Sequence, residues 1–472
     1  MKKQKIVFII LLIFCLFFTC GCFNLQKQSS PTTVRSETEE TIAPSSSVRP
    51  EPVKMETFTG RVWSVKEKTL LLRADDGMEY TIDSSGAEIL ADGSAVQEIE
   101  EGQTITATCS GVDVTNGYEV AVEISVLQDA PALFFWRYED RAKELMEDMS
   151  MEEKVGQIFF ARCPKENAAQ MVSELSPGGY ILFDRDFKDR SAEDVTQAVQ
   201  SYRDASKIPM LIGVDEEGGT VVRASKYEAF RTEPFLSPQQ LYSDGGMEEI
   251  VADTQEKAQL LLGLGINGNL APVCDVSTNP DDYIYPRTFG QDAQQTAAYV
   301  SAVVETMNEQ GIGCTLKHFP GYGDNINTHT GIAQDQRAYE EFVSSDFLPF
   351  EAGIKAGAGS ILVSHNIVEC MDQDYPASLS SEVHRVLREE LGFDGVIMTD
   401  DLYMDAIRDQ FGTAQAAVLA VQAGNDMIIS TEITEQRQGV LGAVLDGTIS
   451  EERIDESVLR ILCWKLSLGI AE

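Results

Sequence analysis

From about residue 138 the chain repeats one pattern eight times: a short apolar, β-rich run, then a helix-like stretch. The runs are Ile158–Phe160, Tyr180–Phe183, Met210–Val214, Leu270–Val273, Cys314–Leu316, Ile361–Val363, Val396–Met398 and Met427–Ile429. Strands alternating with helices predict a parallel sheet, and eight such units are what closes a (β/α)8 barrel of the TIM type. A doubly wound sheet is the competing fold, but no GxGxxG follows the first strand. Polar residues come directly after the runs: Arg162, Asp184-Arg185-Asp186, Asp215-Glu216-Glu217, Asp275, Lys317-His318, Ser364-His365, Asp400-Asp401 and Ser430. Such residues sit at the C-terminal strand ends, the face on which barrel enzymes carry their active sites.

Charge narrows the partners. With 37 Lys+Arg against 76 Asp+Glu, the 472 residues carry a net charge of −39. A field of that sign repels phosphate backbones, so no nucleic-acid partner is expected. The cysteines show no CxxC and no Cys/His cluster, so neither a zinc site nor a disulfide framework is indicated. No metal and no cofactor is expected.

The N-terminus reads as an address. Lys2, Lys3 and Lys5 precede an apolar run from Ile6 to Thr19, then Cys20-Gly21-Cys22. The run is too short for a spanning helix, which needs about 20 apolar residues, and fits a secretory signal. Gly21 before Cys22 looks like a lipobox, although Thr19 stands where lipoboxes usually carry Leu. The expectation is a lipoprotein-type signal over residues 1–22, with Cys22 lipidated. Residues 23–54, rich in Ser, Thr, Pro and Glu, read as a disordered tether. The chain would thus hang from the outer face of the cell membrane.

Residues 55–130 carry short alternating runs such as Phe58–Val65, Thr104–Thr108 and Glu119–Ile124, with turn signals at Asp75-Asp76-Gly77 and Thr115-Asn116-Gly117. They predict a small all-β, OB-like domain ahead of the barrel, which takes residues 138–472.

Two of the four histidines fall in Lys317-His318-Phe319-Pro320-Gly321-Tyr322-Gly323-Asp324, which runs on to Asn327-Thr328-His329-Thr330-Gly331. The fifth strand should end near Lys317, which puts a cation and an imidazole donor at the mouth, suited to a ligand rich in hydroxyls. Glycines 321, 323 and 331 make the loop bearing His329 pliable, and an imidazole titrating near neutrality suits proton transfer. Asp400, at the end of the seventh strand, is placed for a carboxylate nucleophile, while Asp401 is the expected helix cap. Asp215 with Arg223 after strand three, and Arg287, could hold sugar hydroxyls, although structural ion pairs would look the same. A metal site from His365 and His318 is a remote option, since no ligand-spaced cluster exists.

The order and spacing of VDEEGG, APVCDV, RTFG, KHFPGYGD, PASLS and GVIMTDDLYM, from about residue 140 onward, resemble glycoside hydrolase family 3. Within it they look like the bacterial exo-β-N-acetylglucosaminidases. The β-glucosidase branch usually has an Asp-Trp pair after the seventh strand and a second α/β domain, for which no room is expected before Glu472. The resemblance implies that Asp400 is the nucleophile and His329 the general acid/base of a retaining, two-step hydrolysis. It also implies that Asp215, Arg223, Arg287, Lys317 and His318 hold the terminal sugar. Three positions depart from the branch. Asn327 stands where an Asp usually pairs with the catalytic histidine, Gly321-Tyr322-Gly323 replaces Gly-His-Gly, and the loop to His329 is one residue shorter. An amide orients an imidazole but does not stabilise its cation. Asp324 or Asp335 could serve instead.

The expected function is hydrolysis of terminal N-acetylglucosamine from cell-wall fragments. The alternatives are a family member for another β-sugar, a glucoside or xyloside, and a non-catalytic glycan-binding lipoprotein.

Overall fold

The computed structural model describes residues 55–471, apart from positions 76, 92–93, 97, 114–115, 129–133, 324 and 326–332. The signal segment, Cys22 and the tether lie outside the described residues, as do Asn327 and His329.

Eight parallel strands form one sheet. In chain order they are Phe159–Arg162, Gly179–Leu182, Leu211–Val214, Gly268–Asn269, Gly313–Phe319, Ser360–Val363, Val396–Thr399 and Ile428–Ser430. Each neighbours the next, and the eighth lies beside the first. The ring is completed where Met398 bridges Met427 in parallel and the Met427 N–H donates to Ile397 O at 3.0 Å. Every residue of these strands is buried except Arg162, which is half-buried. Strands covered on both faces have no reason to alternate, which is why they read as unbroken apolar runs.

Seven strands begin where the sequence analysis places them, to within one residue. The fourth does not: it is Gly268–Asn269, just before the expected run at 270–273. Pro272 has no N–H to give a ladder, and beyond Asn269 only single links continue, such as the bridge from Val273 to Lys317. Several helices start on sequence-local caps. Ser150 Oγ accepts from Glu153 N, and Glu153 Oε2 accepts from Ser150 N at 2.8 Å, a reciprocal box. Ser191 and Asp194 repeat it.

Residues Glu56 to Gln128 form a second sheet with its own core around Val62, Leu72, Ile105 and Ile124. Its third strand, Glu79–Asp83, pairs antiparallel with Thr69–Ala74 and parallel with Glu119–Gln128, so five of the seven strands make a ring. Trp63 of this sheet meets Trp136 edge-on at 5.0 Å, and Arg73 pairs with Asp140 at 2.5 Å.

One buried cation carries a prediction. Lys465, on the C-terminal helix Glu451–Ser467, is fully buried, and its Nζ donates to Gln157 Oε1 at 2.6 Å. Burial without a carboxylate pulls its amine down to about 7. Below pH 7 the folded chain holds an ammonium in the core at full cost. From pH 7 to the ordinary lysine range the unfolded chain binds the extra proton, so the cost shrinks as pH rises. Denaturant unfolding at pH 7 and pH 9.5 is therefore expected to show wild type gaining roughly 2–3 kcal/mol on Lys465→Met. A pH-independent difference between the two would refute the burial account.

Candidate active site

The C-terminal strand ends converge on a cavity of about 710 Å³ whose lining includes Asp215, Arg223, Arg287, Lys317, His318 and Asp400. Six of the eight side chains singled out from sequence for catalysis or sugar binding are thus brought together. The other two, His329 and Asn327, lie outside the described residues.

Local pinning sets the geometry. After strand three, Glu216 is buried and does not line the cavity. Its carboxylate accepts from the N–H groups of Arg223 and Ala224 at 2.9 and 2.8 Å, and from Ser225 Oγ at 2.5 Å. Asn269, in the fourth strand, holds the Glu216 backbone from both sides. This fixes the turn that carries Asp215, Glu217 and Arg223. Gly218 and Gly219 serve it with positive φ of 98° and 60°, and a Cβ on Gly218 would fall 2.2 Å from Leu236 O.

On that turn stands a chain of alternating charge. Lys317 Nζ lies 2.8 Å from Asp215 Oδ1 and 2.6 Å from Glu217 Oε1. Arg287 grips Glu217 with two parallel bonds of 2.9 and 2.7 Å. Burial alone would raise the Glu217 carboxyl, but Arg287 and then Lys317 hold it well below the usual carboxylate range. Burial likewise opposes the Lys317 ammonium, and Asp215 and Glu217 reverse this and raise it. Both cations therefore stay charged at any working pH.

His318 is oriented from two sides. Arg287 Nη2 lies 3.1 Å from its Nε2, and its Nδ1 is 2.7 Å from Asp275 Oδ2. A guanidinium only donates, so Nε2 accepts and Nδ1 carries the proton to Asp275. This corrects the expectation of an imidazole donor offered to the ligand: both ring nitrogens are taken within the protein. Asp275 Oδ1 also accepts from Tyr322 N at 2.8 Å, tying the following loop to the same carboxylate.

Asp400 follows the seventh strand, its N–H donating to Val363 O at 3.0 Å and its Oδ1 accepting from Asp401 N at 2.8 Å. Asp401 does not cap the next helix, which begins after Met404. Its carboxylate accepts instead from Tyr403 N and from Thr431 N and Oγ1, joining the seventh and eighth strand ends. His365 is also spoken for, with Nδ1 at 2.7 Å from Ser378 Oγ and Nε2 at 3.1 Å from Asp401 O. It shares no ligand position with His318. Asp335, one of the two carboxylates considered for His329, is engaged by Arg337 and by Asn325 Nδ2; Asp324 lies outside the described residues.

Residues 150–463 match the glycosyl hydrolase family 3 N terminal domain. The chain belongs to glycoside hydrolase family 3. It is a glycoside hydrolase, as the catalytic resemblance implied. Relatives include a "Beta-hexosaminidase" of Xanthomonas campestris pv. campestris (strain B100), 32% identical over 276 residues, which cover 57% of this chain and 82% of that protein. A "Beta-N-acetylglucosaminidase/beta-glucosidase" of Cellulomonas fimi is 29% identical over 68% of this chain and 58% of its own length. Among solved structures, a family 3 β-N-acetylglucosaminidase from Paenibacillus sp. str. FPU-7 superposes with a TM-score of 0.64 at 31% identity. That match covers 68% of this hydrolase and 63% of the Paenibacillus chain.

In the structure Glu217 and Asp275 join Lys317, Arg287 and His318; sequence reasoning placed both among the strand-end residues but gave neither a role. Both lie in motifs it did quote, VDEEGG and APVCDV. What it lacked was the partner of each, 100 and 43 residues further along the chain.

Proposed function

We propose that this family 3 hydrolase is a retaining exo-β-N-acetylglucosaminidase that removes terminal N-acetylglucosamine from cell-wall fragments. The observation that carries the reading is Asp400 at the seventh strand end, lining the same cavity as the Asp215–Lys317–Glu217–Arg287 chain. In this reading Asp400 attacks the anomeric carbon and forms a glycosyl ester. His329 protonates the departing oxygen and later takes a proton from water, which frees the sugar with its configuration retained. The buried ion pairs hold Asp215 and Lys317 as preset acceptor and donor for sugar hydroxyls. The Paenibacillus protein is named a β-N-acetylglucosaminidase and the Xanthomonas relative a "Beta-hexosaminidase", which supports the choice of sugar. The same reading keeps Cys22 as a lipid anchor, residues 23–54 as its tether and the small β unit as an OB-like module.

Turnover of 4-nitrophenyl N-acetyl-β-glucosaminide, glucoside and xyloside by the full chain tests the sugar. The N-acetylglucosaminide is expected to lead. A lead by the glucoside would replace the proposed sugar, a reading the double name of the Cellulomonas relative favours. Turnover by His329→Ala and Asn327→Asp chains tests the acid/base. His329→Ala should be slow, and Asn327→Asp should raise kcat if the amide leaves the imidazolium unsupported. A wild type inert on all three glycosides would instead favour a glycan-binding lipoprotein.

A further inference from the structure

The cations around the cavity are not equally committed. Lys317 answers to Asp215 and Glu217, and Arg287 answers to Glu217. Arg223 is more loosely held, 3.5 Å from Asp215 and 4.0 Å from Asp184. The side chain of Arg162, at the end of the first strand, has no ion pair or hydrogen bond among the described residues, although its charge acts on Asp186, and its guanidinium rests 4.6 Å from the centre of the Phe183 ring. Its Nε is buried without a partner, and so is the Nε of Arg223, whose guanidinium lies 5.7 Å from the same ring. Two guanidinium groups thus meet one aromatic ring on one wall, with donors left over.

A guanidinium keeps its proton at any working pH. It therefore cannot lower the cost of burial by neutralising, as a lysine would. A buried donor without an acceptor is costly, and a cation shielded by an aromatic face recovers only part of its lost hydration. The group that best completes a guanidinium is a planar or tetrahedral oxyanion, bound through two parallel hydrogen bonds. Asp215 and Glu217 are unsuited to this task, being already matched to Lys317 and Arg287. On a chain of net charge −39, long-range attraction for anions is absent, so such selectivity must come from short-range donors of this kind.

We propose that Arg162, with Arg223 beside it on Phe183, forms an oxyanion subsite in the cavity wall, so that the preferred glycoside carries a carboxylate or comparable oxyanion. The inference rests on the glycosidase reading of the cavity, and it adds Arg162 as a residue that sets specificity without touching the bond that breaks.

Equilibrium binding keeps it separate from turnover. In the full-length chain carrying Asp400→Asn, calorimetry would compare the 2-, 3- and 4-carboxyphenyl N-acetyl-β-glucosaminides with their carbamoylphenyl twins, and would also titrate inorganic phosphate. At least one carboxylate isomer is expected to bind about tenfold more tightly than its amide. Arg162→Met should erase that preference, and Arg162→Lys should restore only part of it, since an ammonium lacks the fork. Phosphate binding lost in Arg162→Met without any isomer preference would uphold the subsite and assign it to a free oxyanion. No isomer preference together with Arg162-independent phosphate binding, or no binding of any probe, would overturn the proposal. Inactivity of the wild type would sink the hydrolase reading while leaving these binding results interpretable.

Discussion

Replacing Asp400 by asparagine is expected to lower turnover of 4-nitrophenyl N-acetyl-β-glucosaminide by about 10⁴-fold or more, with little change in fold. The carboxylate stands at the end of the seventh strand with one oxygen accepting from Asp401 N. An amide can keep that bond through its carbonyl oxygen. What it cannot do is form and release a glycosyl ester or balance an oxocarbenium-like charge. The size of the loss therefore separates nucleophile from positioning group. A decrease of only tenfold, with unchanged thermal unfolding, would remove Asp400 from the chemistry. Rapid-quench or mass measurement of a sugar ester in a slow-turnover variant such as His329→Ala would locate the covalent step directly.

The second large effect concerns the charges under the site. Lys317→Met is expected to destabilise the chain by about 3–5 kcal/mol, because it strands carboxylates already paid for in desolvation. Lys317 is 2% exposed and Glu217 6%, so neither can recover water. Activity should fall with it, yet the pH dependence is the sharper readout. Glu217 is held far below its ordinary value of 4.5 by Arg287 and Lys317, against the pull of burial. Its stabilising contribution is thus complete above about pH 4.5 and is lost as pH falls toward the depressed folded value. The Lys317→Met chain keeps only Arg287 as a partner, so its acid limb should be shallower than that of wild type. Guanidinium titrations at pH 3.5, 4.5 and 7 would show this. Parallel acid limbs for the two chains would mean that the pairing contributes nothing net.

The barrel was legible because its strands are buried on both faces, so apolar runs at 361–363 and 396–398 mark them without ambiguity. The fourth strand was not, because its two residues, Gly268 and Asn269, carry almost no apolar signal. Asn269 is buried for the sake of the Glu216 backbone it holds, a contact across 53 residues that local composition does not reveal. Asp401 was misread for a related reason: a carboxylate just after a strand resembles a helix cap until Thr431 is seen to claim it. His318 was located correctly and its role misjudged, since which nitrogen accepts depends on Arg287, 31 residues earlier.

The linear order of residues was enough to reveal the eightfold strand–helix alternation, the gathering of polar residues at strand ends, and the family motifs around Asp215, Lys317 and Asp400. These follow from burial and local order along the chain. The tertiary structure alone decided which charges meet. Coulombic pairing and hydrogen bonding act across space at about 3 Å, and the residues they join here lie tens of positions apart. That is why Glu217 and Asp275 emerge as members of the site, Asp401 becomes a brace between strand ends, and Arg162 and Arg223 are left with donors to spare.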